Sequence, residues 1–241
     1  MARRKKIDLV NVGPDAPAGR FIRRFWQPVY VAADLKPGWT KRVQVLDEYF
    51  TLYRGEGGEA HLVADRCPHR NASLHVGWVE KDAIRCFYHG WKFSPSGECL
   101  EMPCEKESFV RKVKIRAYPV REYLGLIFAY FGEGEPPEFP RYPELEEDNG
   151  YPLSNSRWDL PHNFFQRMEN DLDEAHVNFV HKTQADLALE LSVLPQFDAK
   201  ETDYGILRIG TRHRGATKDV RYSHMLMPNT TLIVVPPSTQ E

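Results

Sequence analysis

The chain has 241 residues, of which 41% are hydrophobic and 12% aromatic, so it can bury a sizeable core in one or two domains. Its formal net charge of −2 argues against non-specific binding to nucleic acid. No apolar run approaches the length of a transmembrane helix, and the basic residues 1–6 are followed by no signal-peptide core, so we expect a cytoplasmic protein that binds no membrane.

Residues 1–25 are predicted to form an N-terminal segment that contains the start of a short helix. Pro17 suits the first helical position, and the apolar residues after it recur at helical spacing: Phe21, Ile22, Phe25 and Trp26. This pattern predicts a helix over residues 17–26. From Val29 onward the pattern becomes that of strands.

A small antiparallel β-domain is predicted over residues 26–135. Its strands are expected at residues 42–46, 49–53, 61–64, 84–86, 91–93, 112–116 and 124–131. Gly-rich or Pro-rich turns separate them, at residues 55–58 and 94–97. Two of the connecting loops carry the most informative motif of the chain.

Each of these two loops begins with a cysteine that is soon followed by a histidine. Cys67-Pro-His69 comes first, and Cys86-Phe-Tyr-His89 follows. In a Rieske [2Fe-2S] cluster two thiolates hold one iron and two imidazoles hold the other. A Cys2His2 zinc site uses the same ligand types, but zinc fingers usually place a cysteine pair before a histidine pair. We therefore predict that Cys67, His69, Cys86 and His89 bind a Rieske cluster.

The two remaining cysteines, Cys99 and Cys104, have no neighbouring motif. We interpret them as ordinary thiols beside a loop that follows the cluster, with a redox pair or additional metal ligands as the alternatives. Four cysteines, two of them ligands, fit a reducing cytoplasm. Residues 136–152 belong to a stretch rich in Gly, Pro and Glu and are predicted to be a linker.

A second candidate iron site follows the linker, on a helix predicted to begin near residue 162. Asp173 and His176 would share one helix face, whereas His176 and His181 would lie about 140° apart. Both histidines reach one metal only if the helix is distorted or ends between them, and residues 177–180 favour such a break. Two histidines and one carboxylate form the facial triad of non-haem Fe(II) oxygenases.

Alone, two histidines near a helix end are more often structural than metal-binding. The upstream cluster strengthens the iron interpretation, because it supplies electrons to an iron that must activate O2. Beyond the helix, strands are predicted at residues 206–210, 222–227 and 231–235. They would begin the antiparallel sheet of an α+β catalytic domain over residues 153–241.

Together these motifs resemble the oxygenase component of the Rieske non-haem iron ring-hydroxylating enzymes. Residues 13–17 and 24–29 resemble the phthalate dioxygenase branch of that family, which includes O-demethylases of methoxylated aromatic acids. The resemblance implies an α+β fold, with a small antiparallel β Rieske [2Fe-2S] domain followed by the first part of a catalytic domain. It also implies that His176 and His181 bind a mononuclear Fe(II).

The chain departs from this family in lacking a recognisable third iron ligand, which is an Asp or Glu far beyond the second histidine. No acidic residue after His181 stands in a matching context. We therefore expect residues 153–241 to be the N-terminal part of a truncated domain, and we assign function to the parent enzyme.

Another departure concerns the Rieske proteins of the respiratory cytochrome bc complexes, in which an extra cysteine in each loop forms a disulfide. Ala72 and Tyr88 stand at the matching positions here. We expect a reduction potential toward the low end of the Rieske range, about −150 mV. Such a potential suits a cluster that receives electrons from a flavin reductase.

The resemblance implies a head-to-tail homotrimer, in which the cluster of one subunit faces the iron of its neighbour. Asp173 is then the candidate catalytic bridge between His89 of one subunit and His176 of its own. Electrons would come from NAD(P)H through a separate flavin or iron–sulfur reductase, or through a ferredoxin. With O2, the enzyme would dihydroxylate, monooxygenate or O-demethylate an aromatic substrate, and the resemblance favours an aromatic acid.

Two other classes of function stay open from the sequence. A Rieske ferredoxin, a pure electron carrier, would explain residues 26–132 but leave residues 162–181 without a role. A zinc-binding interaction module would use the same cysteines and histidines without redox chemistry. The oxygenase interpretation accounts for both motifs.

Overall fold

The computed structural model of the protein describes residues 8–150, 162–182 and 193–233. The chain divides into two units, Met1–Asp159 and Leu160–Glu241. Antiparallel sheets dominate both, with short helices between the strands, which confirms the predicted α+β class. Within the described ranges, no helix is long and apolar enough to cross a membrane.

The first helix, α1 (Pro17–Ile22), is shorter than predicted. After Ile22 the backbone continues in tighter turn bonds, from Arg24 N–H to Phe21 O and from Phe25 N–H to Ile22 O, both at 3.1 Å. Trp26 then begins the first strand and pairs with Tyr130. The prediction of a helix over residues 17–26 was therefore wrong at its C-terminal end.

The strands of the first unit form three antiparallel sheets. One sheet has the order β1 (Trp26–Val31), β11 (Leu126–Tyr130) and β10 (Val120–Tyr123). Another has the order β2 (Thr40–Val45), β3 (Glu48–Arg54), β4 (Ala60–Ala64) and β9 (Ala117–Tyr118). The third has the order β5 (Trp78–Glu80), β6 (Ala83–Arg85), β7 (Lys92–Phe93) and β8 (Cys99–Glu101).

Short helical segments connect these strands. They are α2 (Glu107–Val110) and the 3-10 helices Ala32–Asp34, Leu74–Val76 and Pro143–Leu145. Most predicted strands of this unit are present with shifted ends. The prediction of a strand at residues 112–116 was wrong, because Ile115 N–H bonds to Gly97 O while Arg116 O accepts from Ala64 N–H. This segment thus passes between two neighbours without a regular ladder to either.

Two hydrophobic clusters form the interior of the first unit. One lies beneath the ligand loops and contains both predicted cysteine ligands, with Leu74, Ile84, Trp91 and Phe93 among its other members. The other lies between the remaining two sheets, around Phe50, Leu52, Leu62 and Ile127. Burial against the first cluster fixes the cysteines at the base of their loops.

The stretch predicted to be a linker is packed over part of its length. The Trp26 indole N–H donates to the carbonyl oxygen of Pro137 at 3.0 Å, and the Phe139 ring lies 5.3 Å from the Trp26 ring. Tyr123 donates its hydroxyl to Glu146 at 2.8 Å. The domain boundaries at residues 25, 135 and 152 stay predictions.

In the residues that the structure describes, the second unit contains two short helices and one antiparallel sheet. Asn163 caps α3 (Phe164–Leu172) by accepting from the Phe165 N–H at 2.9 Å, so the helix begins close to the predicted residue 162. The next helix is α4 (Val177–Val180). The sheet has the order β12 (Gln196–Thr202), β13 (Gly205–Arg214), β14 (Thr217–Leu226) and β15 (Thr230–Ile233).

The sheet of the second unit contains the predicted strands in longer form. β13 and β14 are ten residues each, because the Gly215 turn between them allows continuous pairing from Arg214–Thr217 to Gly205–Leu226. The predicted strand at residues 231–235 is present up to Ile233, and its last two residues lie outside the described ranges.

Candidate metal centres

The first ligand loop, residues 67–72, is closed by its own backbone. The N–H of Cys67 donates to the carbonyl oxygen of Ala72 at 2.8 Å, and the N–H of Asn71 donates to that of Cys67 at 2.9 Å. Asn71 adopts a positive φ of 60°, which an asparagine tolerates better than most residues. The loop is therefore a tight, self-bonded turn.

The second ligand loop, residues 86–91, repeats this backbone arrangement. The N–H of Cys86 donates to the carbonyl oxygen of Trp91 at 2.8 Å, and the N–H of Gly90 donates to that of Cys86 at 3.0 Å. Gly90 has a positive φ of 71°. The two loops thus share the same backbone hydrogen-bond pattern. The histidine follows the cysteine by two residues in the first loop and by three in the second.

The structure brings together all four side chains predicted to bind the cluster. Cys67 and Cys86 are each 2% exposed, and the rings of His69 and His89 are 4.5 Å apart. Burial raises the pKa of the Cys67 thiol to about 12; the His69 backbone N–H opposes this shift, whereas the adjacent Cys86 sulfur adds to it. Such a thiol becomes a thiolate when a metal replaces its proton.

The histidine rings are supported on different sides. His69 stacks on Trp91, with the ring centroids 4.7 Å apart and the planes at 7°. His89 lies against Tyr88 at 4.0 Å. Among the described residues, none accepts from or donates to the buried Nδ1 of His89. Since an unpaired buried polar atom is costly, this nitrogen fits a metal ligand, and the donor set fits a Rieske cluster.

A buried carboxylate beneath the first loop was not anticipated from the sequence. Asp65 is 3% exposed and accepts from the hydroxyls of Thr51 at 3.0 Å and Ser73 at 2.6 Å. Arg42 Nε lies 3.2 Å and His75 Nδ1 3.3 Å from it. Burial would raise the Asp65 pKa, but these hydrogen bonds and the Arg42 charge outweigh it and hold the pKa below its ordinary value.

In the second unit, Asp173 lies where α3 ends and not within a helix. It is the C-cap residue, with extended dihedrals (φ −86°, ψ 107°). Its Oδ1 accepts from the N–H of Ala175 at 2.8 Å and of His176 at 3.4 Å. The chain breaks here because the Asp173 side chain competes with helical bonding. The predictions of a helix face shared with His176 and of a break at residues 177–180 were therefore wrong.

The short helix α4 nevertheless places the two predicted iron ligands side by side. His176 and His181 flank α4, and their ring centroids are 5.7 Å apart. The Nδ1 of His176 lies 3.5 Å from Asp173 Oδ2 and, among the described residues, has no hydrogen-bond partner. In the part of the chain that the structure describes, no three His, Cys, Asp or Glu side chains form a group able to hold one metal ion.

Next to Asp173, a second unanticipated carboxylate is buried on the sheet. Glu174 is 5% exposed and lies over Gly210, between Arg208 and Arg212. Its Oε1 is 2.5 Å from Arg212 Nη1, and its Oε2 is 3.3 Å from Arg208 Nη2. A Cβ on residue 210 would lie 2.5 Å from Oε2, so the glycine makes room for the carboxylate.

The same arginines fasten the candidate iron segment to β13 and its surroundings. Arg208 donates to the carbonyl oxygen of Leu172, the last residue of α3, at 3.1 Å. Arg212 Nε and Asn178 Nδ2 each donate to the carbonyl oxygen of Val193 at 3.1 Å. An open cavity of about 320 Å³ lies beside Asp173 and Arg208. In the sequence, the alternation of Arg208, Gly210 and Arg212 was the signal that could have indicated this buried arrangement.

Comparison with known proteins adds independent findings. Residues 25–122 match the family model of the Rieske [2Fe-2S] domain. Phenoxybenzoate dioxygenase subunit alpha of Ectopseudomonas oleovorans is 34% identical over 244 residues, which cover 93% of this chain and 59% of that protein. The 5,5'-dehydrodivanillate O-demethylase oxygenase subunit of Sphingobium sp. is 37% identical over 178 residues, or 72% of this chain and 42% of that protein.

Among solved structures, dicamba monooxygenase bound to dicamba superposes with a TM-score of 0.71. At 21% identity, over 92% of this chain and 70% of that one, the likeness shows a shared fold. The chain spans about half the length of the curated relatives it matches, 59% and 42% in the two cases above.

Proposed function

Because the chain belongs to the family of Rieske [2Fe-2S] oxygenases, we propose that it forms part of a terminal oxygenase component of a multicomponent system. The whole protein would use O2 and electrons from NAD(P)H to hydroxylate or O-demethylate an aromatic substrate. One observation carries this proposal. Two loops with the same backbone hydrogen-bond pattern bring together the side chains of Cys67, His69, Cys86 and His89.

Each candidate ligand has a distinct part in the proposed assignment. Cys67 and Cys86 would hold one iron of the cluster, and His69 and His89 the other. His176 and His181 are the two ligands proposed for the mononuclear iron; when bound, the two groups supply electron storage and O2 chemistry. The chain itself buries the thiols, aims the imidazoles and excludes water from their base.

Asp173 is proposed to couple the two centres between subunits. One of its oxygens is fixed by two backbone N–H groups, while the other faces His176 Nδ1 at 3.5 Å. With 51% of its side chain exposed, the carboxylate can also accept from His89 of a neighbouring subunit in a head-to-tail trimer. A carboxylate that orients a metal-bound imidazole raises its basicity and fixes its ring.

We propose the electron donor from the chemistry of the cluster, and the substrate class from the names of related proteins. A cluster on exposed loops needs a separate flavin or iron–sulfur reductase, or a ferredoxin, to reduce it. The relatives carry the names of a phenoxybenzoate dioxygenase and a dehydrodivanillate O-demethylase. We therefore favour an aromatic acid as substrate. A ferredoxin-type electron carrier is disfavoured, because the first relative also matches the second unit, where His176 and His181 lie.

Metal and sulfide analysis of the whole protein tests the proposal. Three irons and two acid-labile sulfides per chain, with an EPR signal of mixed His/Cys ligation after dithionite reduction, are the expected result. Two irons and two sulfides, with no O2 consumption after Fe(II) is added, would instead indicate an electron carrier. Zinc without sulfide would overturn both the oxygenase and the carrier.

A further inference from the structure

A partly buried arginine closes the second ligand loop from behind. Arg85 immediately precedes Cys86, and its side chain is 12% exposed. Its Nη1 donates to the carbonyl oxygen of Gly90 at 2.7 Å, across the loop that carries His89. The guanidinium thus spans the loop from its first residue to the residue after the histidine.

Two carboxylates on other strands of the same sheet hold this guanidinium in place. Glu80 on β5 accepts from Arg85 Nε at 2.6 Å and from Nη2 at 2.8 Å, which is a bidentate pair. Glu101 on β8 accepts from Nη2 at 2.6 Å. Every nitrogen of the guanidinium therefore has a hydrogen-bond partner, and these bonds fix the orientation of the group.

A lysine and an indole complete the network around these carboxylates. Lys92 on β7 lies 3.0 Å from Glu80 and 3.1 Å from Glu101, so it bridges the same two acids as Arg85. The Trp78 indole N–H donates to Glu80 at 2.9 Å. Hydrogen bonds from Arg85, then from Lys92 and Trp78, hold the Glu80 pKa far below its ordinary range. The acid stays ionised, and the network spans all four strands of its sheet.

No disulfide shares this task, since none of the four cysteines is disulfide-bonded in the structure. The backbone bonds of the second loop involve Cys86, Gly90 and Trp91, and none of them reaches β5 or β8. The Arg85 side chain is what connects the Gly90 carbonyl oxygen to those strands. Its loss would remove the side-chain connection between this turn and those two strands.

We propose that Arg85 is a positioning residue for the cluster site, which fixes the second ligand loop, and with it His89, to the sheet formed by β5–β8. Arg85 acts through Gly90 and the loop and does not touch the cluster. The inference rests on the cluster assignment and is independent of the substrate or of the reaction at the second iron.

The test compares Arg85→Gln and Arg85→Lys with Arg121→Gln, which removes an exposed arginine of β10, in the whole protein. Bleaching of the visible absorbance under a chelator measures cluster release, and EPR of the reduced protein reports the histidine ligation. We expect Arg85→Gln to release its cluster about 10-fold faster, with a shifted or broadened EPR signal. Arg85→Lys should also be faster, since one ammonium lacks the planar fork.

Wild-type release rates and spectra in Arg85→Gln would overturn the inference, as would equal changes in Arg121→Gln. A lower melting temperature with an unchanged EPR signal would also overturn it, because it would show a general structural role. If Arg85→Gln does not fold, Glu101→Gln compared with the exposed Glu105→Gln decides by the same criteria. A wild-type protein that binds no sulfide would refute the cluster assignment itself, which is a separate failure.

Discussion

Asn71 and Gly90 occupy equivalent positions in the two ligand loops. Each follows its cysteine by four residues, each has a positive φ, 60° and 71°, and each donates its backbone N–H to the carbonyl oxygen of that cysteine. A residue that cannot adopt this conformation would open the turn. The histidines between these fixed points would then lose their positions.

Substitution at Asn71 measures how much the first turn depends on this conformation. Asn71→Gly should leave the free energy of unfolding nearly unchanged, because glycine adopts positive φ freely. Asn71→Val should lower it by about 1–3 kcal/mol, since a β-branched residue is strained there. Urea unfolding of both variants measures the difference. Equal stability of the two variants would contradict the role assigned to the turn.

Asp65 should make the stability of the protein depend on acid pH. A folded-state pKa below the unfolded one means that the carboxylate stabilises the fold above pH of about 3.9 and loses this effect as the pH falls through the folded value. Asp65→Asn should therefore cost about 1–3 kcal/mol at pH 7. The difference in free energy of unfolding between wild type and Asp65→Asn should become smaller at pH 3.

Urea unfolding of wild type and Asp65→Asn at the two pH values measures this difference. The exposed Asp15→Asn is the matched control, and its stability should follow wild type at both. If the difference in free energy of unfolding stays constant with pH, the loss of stability in Asp65→Asn comes from the changed shape of the side chain rather than from its lost charge.

Glu174 should be sensitive to the loss of its carboxylate. Glu174→Ala leaves Arg208 and Arg212 buried without their counter-charge, and breaking a buried ion pair in this way destabilises by about 3–5 kcal/mol. Glu169→Ala removes an exposed acid of α3 and should change little. Thermal unfolding of the two variants measures the contrast.

Removing all three charges separates the ion pairs from simple packing. Apolar residues of similar volume at 174, 208 and 212 should restore much of the stability lost in Glu174→Ala, because no buried charge is left unpaired. A triple variant less stable than Glu174→Ala would mean that the arginine bonds to Leu172 and Val193 matter more than the charges.

Asp173→Asn tests the proposed bridge between the two centres. The amide keeps the shape and can still accept from Ala175 and His176 N–H, but it loses the charge that faces His176 Nδ1. We expect electron transfer in single-turnover experiments to slow about 10–100-fold, with both metals retained. Asp171→Asn, which affects the ion pair of the partly buried Asp171 with the exposed Arg167, is the control. Unchanged transfer and product formation in Asp173→Asn would exclude the bridge.

The cluster loops were predictable because their chemistry is local in sequence. A cysteine and a histidine within three residues specify a ligand pair, and the self-bonded turns that hold them need only nearby residues such as Asn71 and Gly90. Asp65 and Arg85 were not predictable, because their partners come from strands up to 23 residues away, and acids or arginines beside a loop are usually exposed.

The errors in secondary structure have the same origin. The pattern of residues 17–26 suits a helix, yet Trp26 pairs with Tyr130, more than a hundred residues later, and this pairing ends the helix early. The break predicted at residues 177–180, on the condition that both histidines bind one metal, lies instead at Asp173. The site depends on the Asp173 carboxylate accepting from the N–H groups of Ala175 and His176, and on Glu174 reaching Gly210.

The stack of His69 on Trp91 joins a ring of the first loop to a residue of the second. Trp91 in turn accepts the N–H of Cys86 at its carbonyl oxygen, so one residue serves both ligand pairs. Neither loop can swing outward alone without breaking an aromatic contact that the other maintains. Movement of either loop would therefore disturb the support of both ligand pairs, because Trp91 belongs to both sets of contacts.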